Sequence, residues 1–469
     1  MKLGAVGLFA LALAVDPIPS PVTIVGPIQA TASPGDPSHN YPFYTSTIDL
    51  STKGYVEQEF FIAGTARQYE TPAGATGRAL DGRYPFKTRV VVRRPSSAAR
   101  FNGTVIVEWN NVTAGRDLDI DWYQAHDHFI RAGYAWIGVT PQRIGVEALK
   151  VWNANRYGTL DVTSGGSILN DALSYDAFAS VAQAVRTPGP VNVLGGFKAE
   201  RIFATGHSQS AARLATYVNS VHPLAPVFDA VVIHGGGGRI RSDLAVKVFK
   251  LLAETDVIGN QAANRQPDTD RFRSWEVAGS SHVDLYFVEM SRPLAARDGS
   301  PVAPGFSPGG GARGTAGAGA PAQGPCERPS YSHVPFYQVM NAAFDHLVRW
   351  VKDGTPPPSA PPIEVSAVGP PAVVVRDKAG NALGGIRLAE HAVPTAVNTG
   401  QNGGPGFCRL NGSHEEFDKA TLANLYPTHA AYVAAVNGAT EQNLRAGYIL
   451  RADAEATTLA AERSGVGQR

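Results

Sequence analysis

Arg201-Ile202-Phe203-Ala204-Thr205-Gly206-His207-Ser208-Gln209-Ser210-Ala211-Ala212 passes from apolar residues through Gly-His-Ser-Gln-Ser into small, helix-compatible ones. The stretch reads as a strand, a sharp turn and a helix, with Ser208 at the apex. Such an elbow lifts a serine hydroxyl above the edge of a sheet, and it closes only when the residues two before and two after the serine are very small. Gly206 meets that requirement, whereas Ser210 stands where a second glycine is usual and must fit its side chain against neighbouring backbone. In this strand-to-helix setting Ser208 is a candidate nucleophile; the competing reading is an ordinary serine helix cap.

A serine at its free pKa is a weak nucleophile, so the reading demands a histidine base and an acid that orients it, following the elbow in the order acid, then histidine. Trp275-Glu276-Val277-Ala278-Gly279-Ser280-Ser281-His282 is a strand followed by a small-residue loop, which makes His282 the candidate base. The preceding strand ends Ala253-Glu254-Thr255-Asp256, and its two carboxylates sit where loops gather at the C-terminal edge of a parallel sheet. Asp256 is the preferred orienting acid and Glu254 the alternative. Oxyanion stabilisation needs backbone donors. Gln209 supplies one from the elbow, and the loop Glu108-Trp109-Asn110-Asn111-Val112 offers Asn110 or Asn111, of which Asn111 is chosen. His234-Gly235-Gly236-Gly237-Gly238 imitates a glycine-rich oxyanion loop but lies after the nucleophile, so it reads as a turn needing positive φ.

Outward from the elbow, short continuously apolar segments alternate with helix-length ones, the rhythm of parallel βαβ units buried on both faces. The expected strands are Thr104 to Trp109, Ala135 to Thr140, Arg201 to Thr205, Ala230 to His234, Val248 to Ala253 and Arg273 to Ala278. Before them, Val22 to Ile28, Gly54 to Ile62 and Lys87 to Val92 read as an antiparallel edge. Met340, Phe344, Leu347, Val348 and Val351 share one face of a helix over Gln338 to Lys352, stopped by Gly354 and the prolines after it. The last hundred or so residues promise a strand pair near Val373 to Arg376 and then helices. One of these is announced by a capping box at Ser413 to Glu416 and carries Leu422, Leu425 and Tyr426. The organisation expected is a leader at 1–15, a core at 16–360 with a low-complexity insertion at 307–325, and an accessory region at 361–469.

The chain has 469 residues with 41 Lys+Arg against 40 Asp+Glu, so no overall field exists to hold a polyanion, and a nucleic-acid partner is not expected. Lys2 followed by the apolar run Leu3 to Val15 is the layout of a signal peptide, too short to span a bilayer. Cys326 and Cys408 both lie in Gly/Pro-rich loops and are expected to pair in an exported protein. Asp117, Asp119 and Asp121 alternate as in a calcium loop, but Trp122 occupies the position of that loop's glycine, so a polar helix entry is preferred to a metal site. His126 and His128, two apart, point to different faces of a helix. No metal and no dinucleotide or phosphate fingerprint is expected.

The order strand, Asn-rich loop, elbow, acid, histidine resembles the α/β-hydrolase superfamily, and within it a group of bacterial alpha/beta hydrolase domain-containing proteins. The resemblance rests on Val107-Glu108-Trp109-Asn110-Asn111, Gly133 to Val139, Glu254-Thr255-Asp256, Trp275 to Gly279 and Gly384-Gly385-Ile386-Arg387, phrases that span most of the chain. It implies a mostly parallel sheet covered by helices on both faces and a hydrolytic serine, and little about substrate. The function expected is a secreted or periplasmic serine carboxylesterase without cofactor, acting on a small-molecule or polymer-derived ester. Trp109, Trp152, Arg156 and Tyr157 are candidate pocket-lining residues; the alternative for them is plain core packing. A lyase or acyltransferase using the same residues, or a catalytically inactive binding protein, are the competing functions.

Overall fold

The computed structural model describes residues 19–304, 306 and 325–468. The expected leader at 1–15 and all but the last residue of the 307–325 insertion lie outside them. A nine-stranded sheet organises the chain. Its strands are β1 (Thr23–Val25), β2 (Tyr55–Ala66), β3 (Tyr84–Pro95), β4 (Thr104–Trp109), β5 (Ala135–Val139), β6 (Arg201–His207), β7 (Ala230–His234), β8 (Lys247–Ala253) and β9 (Phe272–Val277). Their spatial order is β1-β2-β3-β5-β4-β6-β7-β8-β9. β1, β2 and β3 are antiparallel to their neighbours, and the six strands from β4 to β9 run parallel. The sequence's two rhythms therefore become the two parts of one sheet.

Alternation along each parallel strand divides the core between two faces. In β4, Ile106 points into a cluster with Phe203, Trp136 and Phe344, whereas Val105 and Val107 join Ala204, Phe178 and Leu214 on the other side. The first face is covered by α1 (Ile120–Ala132) and, later in the chain, by a long helix over Phe336–Asp353; the second by α2 (Ser174–Arg186) and α3 (Gln209–Thr216). Next in the chain comes α4 (Leu285–Asp298), then α5 (Phe336–Asp353), which buries Met340, Phe344 and Leu347 and stops at Gly354 in the left-handed region, φ 75°. Asp119, the α1 N-cap residue, does not cap with its own side chain. Glu108 of β4 does so instead, accepting the amides of Asp121 at 2.8 Å and Trp122 at 3.0 Å together with the Trp136 indole at 2.8 Å.

After α5, β10 (Val365–Ala367) pairs antiparallel with β11 (Val373–Val374), and β12 (Ala396–Thr399) with β13 (Ser413–Glu416). The capping-box expectation fails here: Ser413 to Glu416 are strand residues, and the Ser413 hydroxyl bonds the Thr399 hydroxyl at 2.9 Å. The helix begins later, as α6 (Lys419–Leu425), capped by Asp418 through the Thr421 amide at 2.7 Å. A Ser-x-x-Glu spacing fits a ladder as well as a cap when a partner strand is present, which local sequence cannot reveal. α7 (His429–Ala446) and α8 (Arg451–Arg463) follow, and α8 meets α5 through Asp453 with Asn341 and Thr457 with Gln338. Cys326 and Cys408 form a disulfide with Cα atoms 5.4 Å apart.

Candidate active site

The C-terminal ends of β4, β6, β7, β8 and β9 supply one cluster. At the end of β6, Ser208 adopts φ 61°, ψ −116°, a conformation that a non-glycine residue holds only under strain. The surroundings fix it: the Ser208 amide donates to the His234 carbonyl at 2.9 Å, and the Asn111 side chain donates to the His207 carbonyl at 2.8 Å. Ser210 fits in place of the second glycine because its hydroxyl donates to the Asn110 carbonyl at 3.2 Å. On the other side of the turn, a Cβ at Gly206 would approach that of Ser210 to 3.1 Å.

His282, from the loop after β9, places Nδ1 2.6 Å from Asp256 Oδ1. A proton held on Nδ1 by this carboxylate leaves Nε2 with its lone pair. The other Asp256 oxygen accepts the Ala253 amide at 2.7 Å, and the Thr255 hydroxyl accepts the His282 amide at 3.2 Å, so the turn after β8 holds the histidine loop from two sides. Glu254 is committed elsewhere. Fully buried, it accepts from Arg376 at 2.6 Å, from the Gly279 amide at 2.8 Å and from the Gly400 amide at 3.0 Å, joining the histidine loop to the C-terminal region.

Three imidazoles meet around Gly235. The His207 ring lies 4.2 Å from that of His282 and 4.3 Å from that of His234. His234 bonds Asp121 Oδ1 at 2.6 Å and stacks on Phe336, and the Thr205 hydroxyl takes the other Asp121 oxygen. Both His207 nitrogens are buried without a hydrogen-bond partner among the described residues, and burial, with the neighbouring imidazoles, holds this ring well below the usual histidine range. It therefore adds no positive charge beside His282. Gly235 has φ 68°, as the turn reading requires, and a Cβ there would come within 2.9 Å of His207 Nε2 and 3.1 Å of His282 Cε1.

Ser208 and His282 open onto one cavity of about 560 Å³. The loop between β4 and α1 contributes Asn111, Arg116 and Leu118 to its lining; Phe287, Val288, Ser291, Arg292 and Ala295 come from one face of α4. Tyr44, Tyr331 and Phe407 complete much of the remainder. A larger depression of about 910 Å³ around Arg239 and Arg241 contains no histidine and none of these residues.

Several expectations need correction. The Asn111 amide donates to the Leu118 carbonyl at 2.9 Å and that of Asn110 to Val139 at 3.1 Å, so neither is free for an oxyanion. Asn111 serves instead through its side chain, as a tie to the elbow. Trp109, Trp152 and Tyr157 do not line the cavity. Trp109 is buried against Phe178 with its indole on Gln142, and Trp152 stacks on His39 and donates to the Asp298 carbonyl. Tyr157 and Arg156 both bond the buried Glu59 of β2, which also pairs with Arg89. These side chains are captured by a buried carboxylate that lies far away in the sequence. Asp117, Asp119 and Asp121 bond Thr140, Arg93 and His234 respectively, and no cluster able to hold a metal occurs among the described residues. His207 and the α4 face were missed; Asp284, which caps α4 through the Phe287 amide at 2.8 Å, was the available signal, obscured by Pro293 within the helix.

A putative dienelactone hydrolase from Klebsiella pneumoniae subsp. pneumoniae MGH 78578 is 16% identical, over 52% of this chain and 83% of that one, with a TM-score of 0.22. An α/β serine hydrolase without lid from Xanthomonas campestris is 11% identical over 50% and 93%, with a TM-score of 0.28. A glucuronoyl esterase from Solibacter usitatus is 11% identical over 52% and 82%, with a TM-score of 0.27. No curated protein matches the chain. The family model described as "Alpha/beta hydrolase domain" matches residues 24–458, and with the sheet order and the elbow in place, this chain belongs to the alpha/beta hydrolase family.

Proposed function

We propose that this hydrolase cleaves carboxylic esters through an acyl-enzyme on Ser208. Ser208 Oγ attacks the ester carbonyl as its proton passes to His282 Nε2, and Asp256 stabilises the imidazolium through Nδ1. The Gln209 amide, first in α3 and so without an intrahelical partner, donates to the oxyanion. In the loop after β4, Val112 offers the first amide that no described carbonyl engages, and we assign it as the second donor. The tetrahedral intermediate collapses, the His282 proton goes to the departing alkoxide, and an alcohol leaves. Water then attacks the acyl-enzyme with His282 as base, releasing the acid and restoring Ser208. No cofactor enters any step.

The observation that carries this reading is the strained Ser208 on the same cavity as an imidazole paired at 2.6 Å with a carboxylate. The test is turnover of short-chain aryl esters by wild type and Ser208→Ala. A loss of ~10³ or more is expected, and equal turnover sinks the proposal. Product analysis distinguishes hydrolysis from acyl transfer to an added alcohol. Failure of a fluorophosphonate to label Ser208 in the folded protein would point to a binding role. The Cys326–Cys408 bridge supports an oxidising, extracytoplasmic compartment for the working protein.

A further inference from the structure

The cavity that holds Ser208 and His282 has two arginines in its lining, Arg116 and Arg292, and no aspartate or glutamate among the described residues that line it. Neither guanidinium has a carboxylate partner among the described residues. Arg116 is held by neutral groups: Nε donates to the Tyr44 hydroxyl at 2.8 Å and Nη1 to the Ala114 carbonyl at 3.2 Å. Tyr44 passes the bond on to the Gly299 carbonyl at 3.1 Å, just beyond the end of α4, so Arg116 is fixed in place with Nη2 bonded to no described residue. Arg292 makes no hydrogen bond, ion pair or ring contact with any described residue. It stands on the α4 face that lines the cavity, one residue after Ser291 and three before Ala295. Much of the other lining is apolar, including Leu118, Ile120, Phe287, Val288 and Leu410.

Two cations with no counter-charge among the described lining residues, the half-buried Arg116 and the exposed Arg292, give a cavity of mixed apolar and neutral polar lining a positive potential beside the site of reaction. Resting on the esterase reading above, we infer that the substrate is an ester carrying a free carboxylate, such as the half-ester of a dicarboxylic acid or the acyl ester of a hydroxy acid. The planar guanidinium fork suits a carboxylate, received by Arg292 with the fixed Arg116 reinforcing the charge. A cavity of about 560 Å³ accommodates both halves of such a molecule.

The test compares kcat/KM for two pairs of esters: mono-p-nitrophenyl succinate against its methyl ester, and 4-acetoxybenzoate against methyl 4-acetoxybenzoate. At least one anionic member is expected to exceed its neutral partner ~10-fold or more, with the advantage shrinking as salt rises. Arg292→Gln should bring that ratio toward one and Arg292→Glu should invert it; Arg116→Lys, which keeps the charge, should retain it better than Arg116→Gln. Equal kcat/KM within both pairs, or a preference that survives Arg292→Glu, overturns the inference while leaving the esterase reading intact. If wild type cleaves none of the four esters, the esterase reading fails. Calorimetric binding of mono-p-nitrophenyl succinate and of its methyl ester to Ser208→Ala then still decides the anion site: tighter binding of the anion, lost in Ser208→Ala/Arg292→Glu, supports it, and equal binding removes it.

Discussion

Asp256 and Glu254 sit two positions apart at the end of one strand, yet their surroundings give them different work. Asp256 faces the imidazole; Glu254 neutralises Arg376 and receives two loop amides. Asp256→Asn should lower kcat ~10²–10⁴-fold by presenting the wrong partner to Nδ1, with little change in stability. Glu254→Gln should leave kcat within a few-fold and lower unfolding stability by about 2 kcal/mol, because it leaves Arg376 without its counter-charge. Parallel kinetics and urea unfolding of the two variants check this; the opposite pattern would exchange their roles.

Elements, rather than isolated side chains, hold the imidazoles together. The turn after β7 passes between His207 and His282, and only a residue without Cβ fits, both for its φ of 68° and for its clearance. Gly235→Ala is expected to cost about 1–2 kcal/mol of stability and, by displacing the His282 ring, ~10-fold or more in kcat; unchanged kcat would show that the ring does not depend on this turn. On α1, burial and then Arg131 hold His128 at about 4, below its ordinary 6.5. Between those values the unfolded chain binds a proton that the folded one does not, so stability present at neutral pH is lost as pH falls through that window. His128→Phe should therefore reduce the fall in unfolding free energy between pH 7 and pH 4.5 by roughly 2–3 kcal/mol. Identical pH profiles for the two proteins would contradict this.

Across the whole molecule, the bridge between Cys326 and Cys408 closes a loop of 82 residues that includes α5 and β12. Chain entropy alone assigns such a loop ~4.5 kcal/mol. Denaturing the unreduced protein should expose no titratable thiol, and reductant or Cys408→Ser should lower the urea midpoint; two free thiols would exclude the bridge. The same region covers the histidine loop: Ile386 bridges to Val277, and the Ser332 hydroxyl donates to the Gly279 carbonyl at 2.6 Å. Loosening the bridge is therefore expected to lower kcat at denaturant concentrations below the global unfolding transition, which activity and fluorescence measured on the same samples would reveal.

The strand-to-helix rhythm, the elbow around Ser208, the acid and histidine that follow it, and the cysteine pair were legible because each is written in adjacent residues, where backbone sterics and apolar periodicity act directly. Local pattern preferred Asp256 as the partner of His282 but kept Glu254 as an alternative, because the two share one strand end and differ only in distant partners such as Arg376 and Gly400. It could not place Trp152 and Tyr157 in the core, since His39 and Glu59 capture them from elsewhere in the chain. The free amides around the elbow and the two arginines on the cavity wall likewise emerged only when α4 and the loop after β4 came together over the sheet. Hydrogen bonds and charges are satisfied by whatever lies near in space, and the tertiary fold alone determines which residues those are.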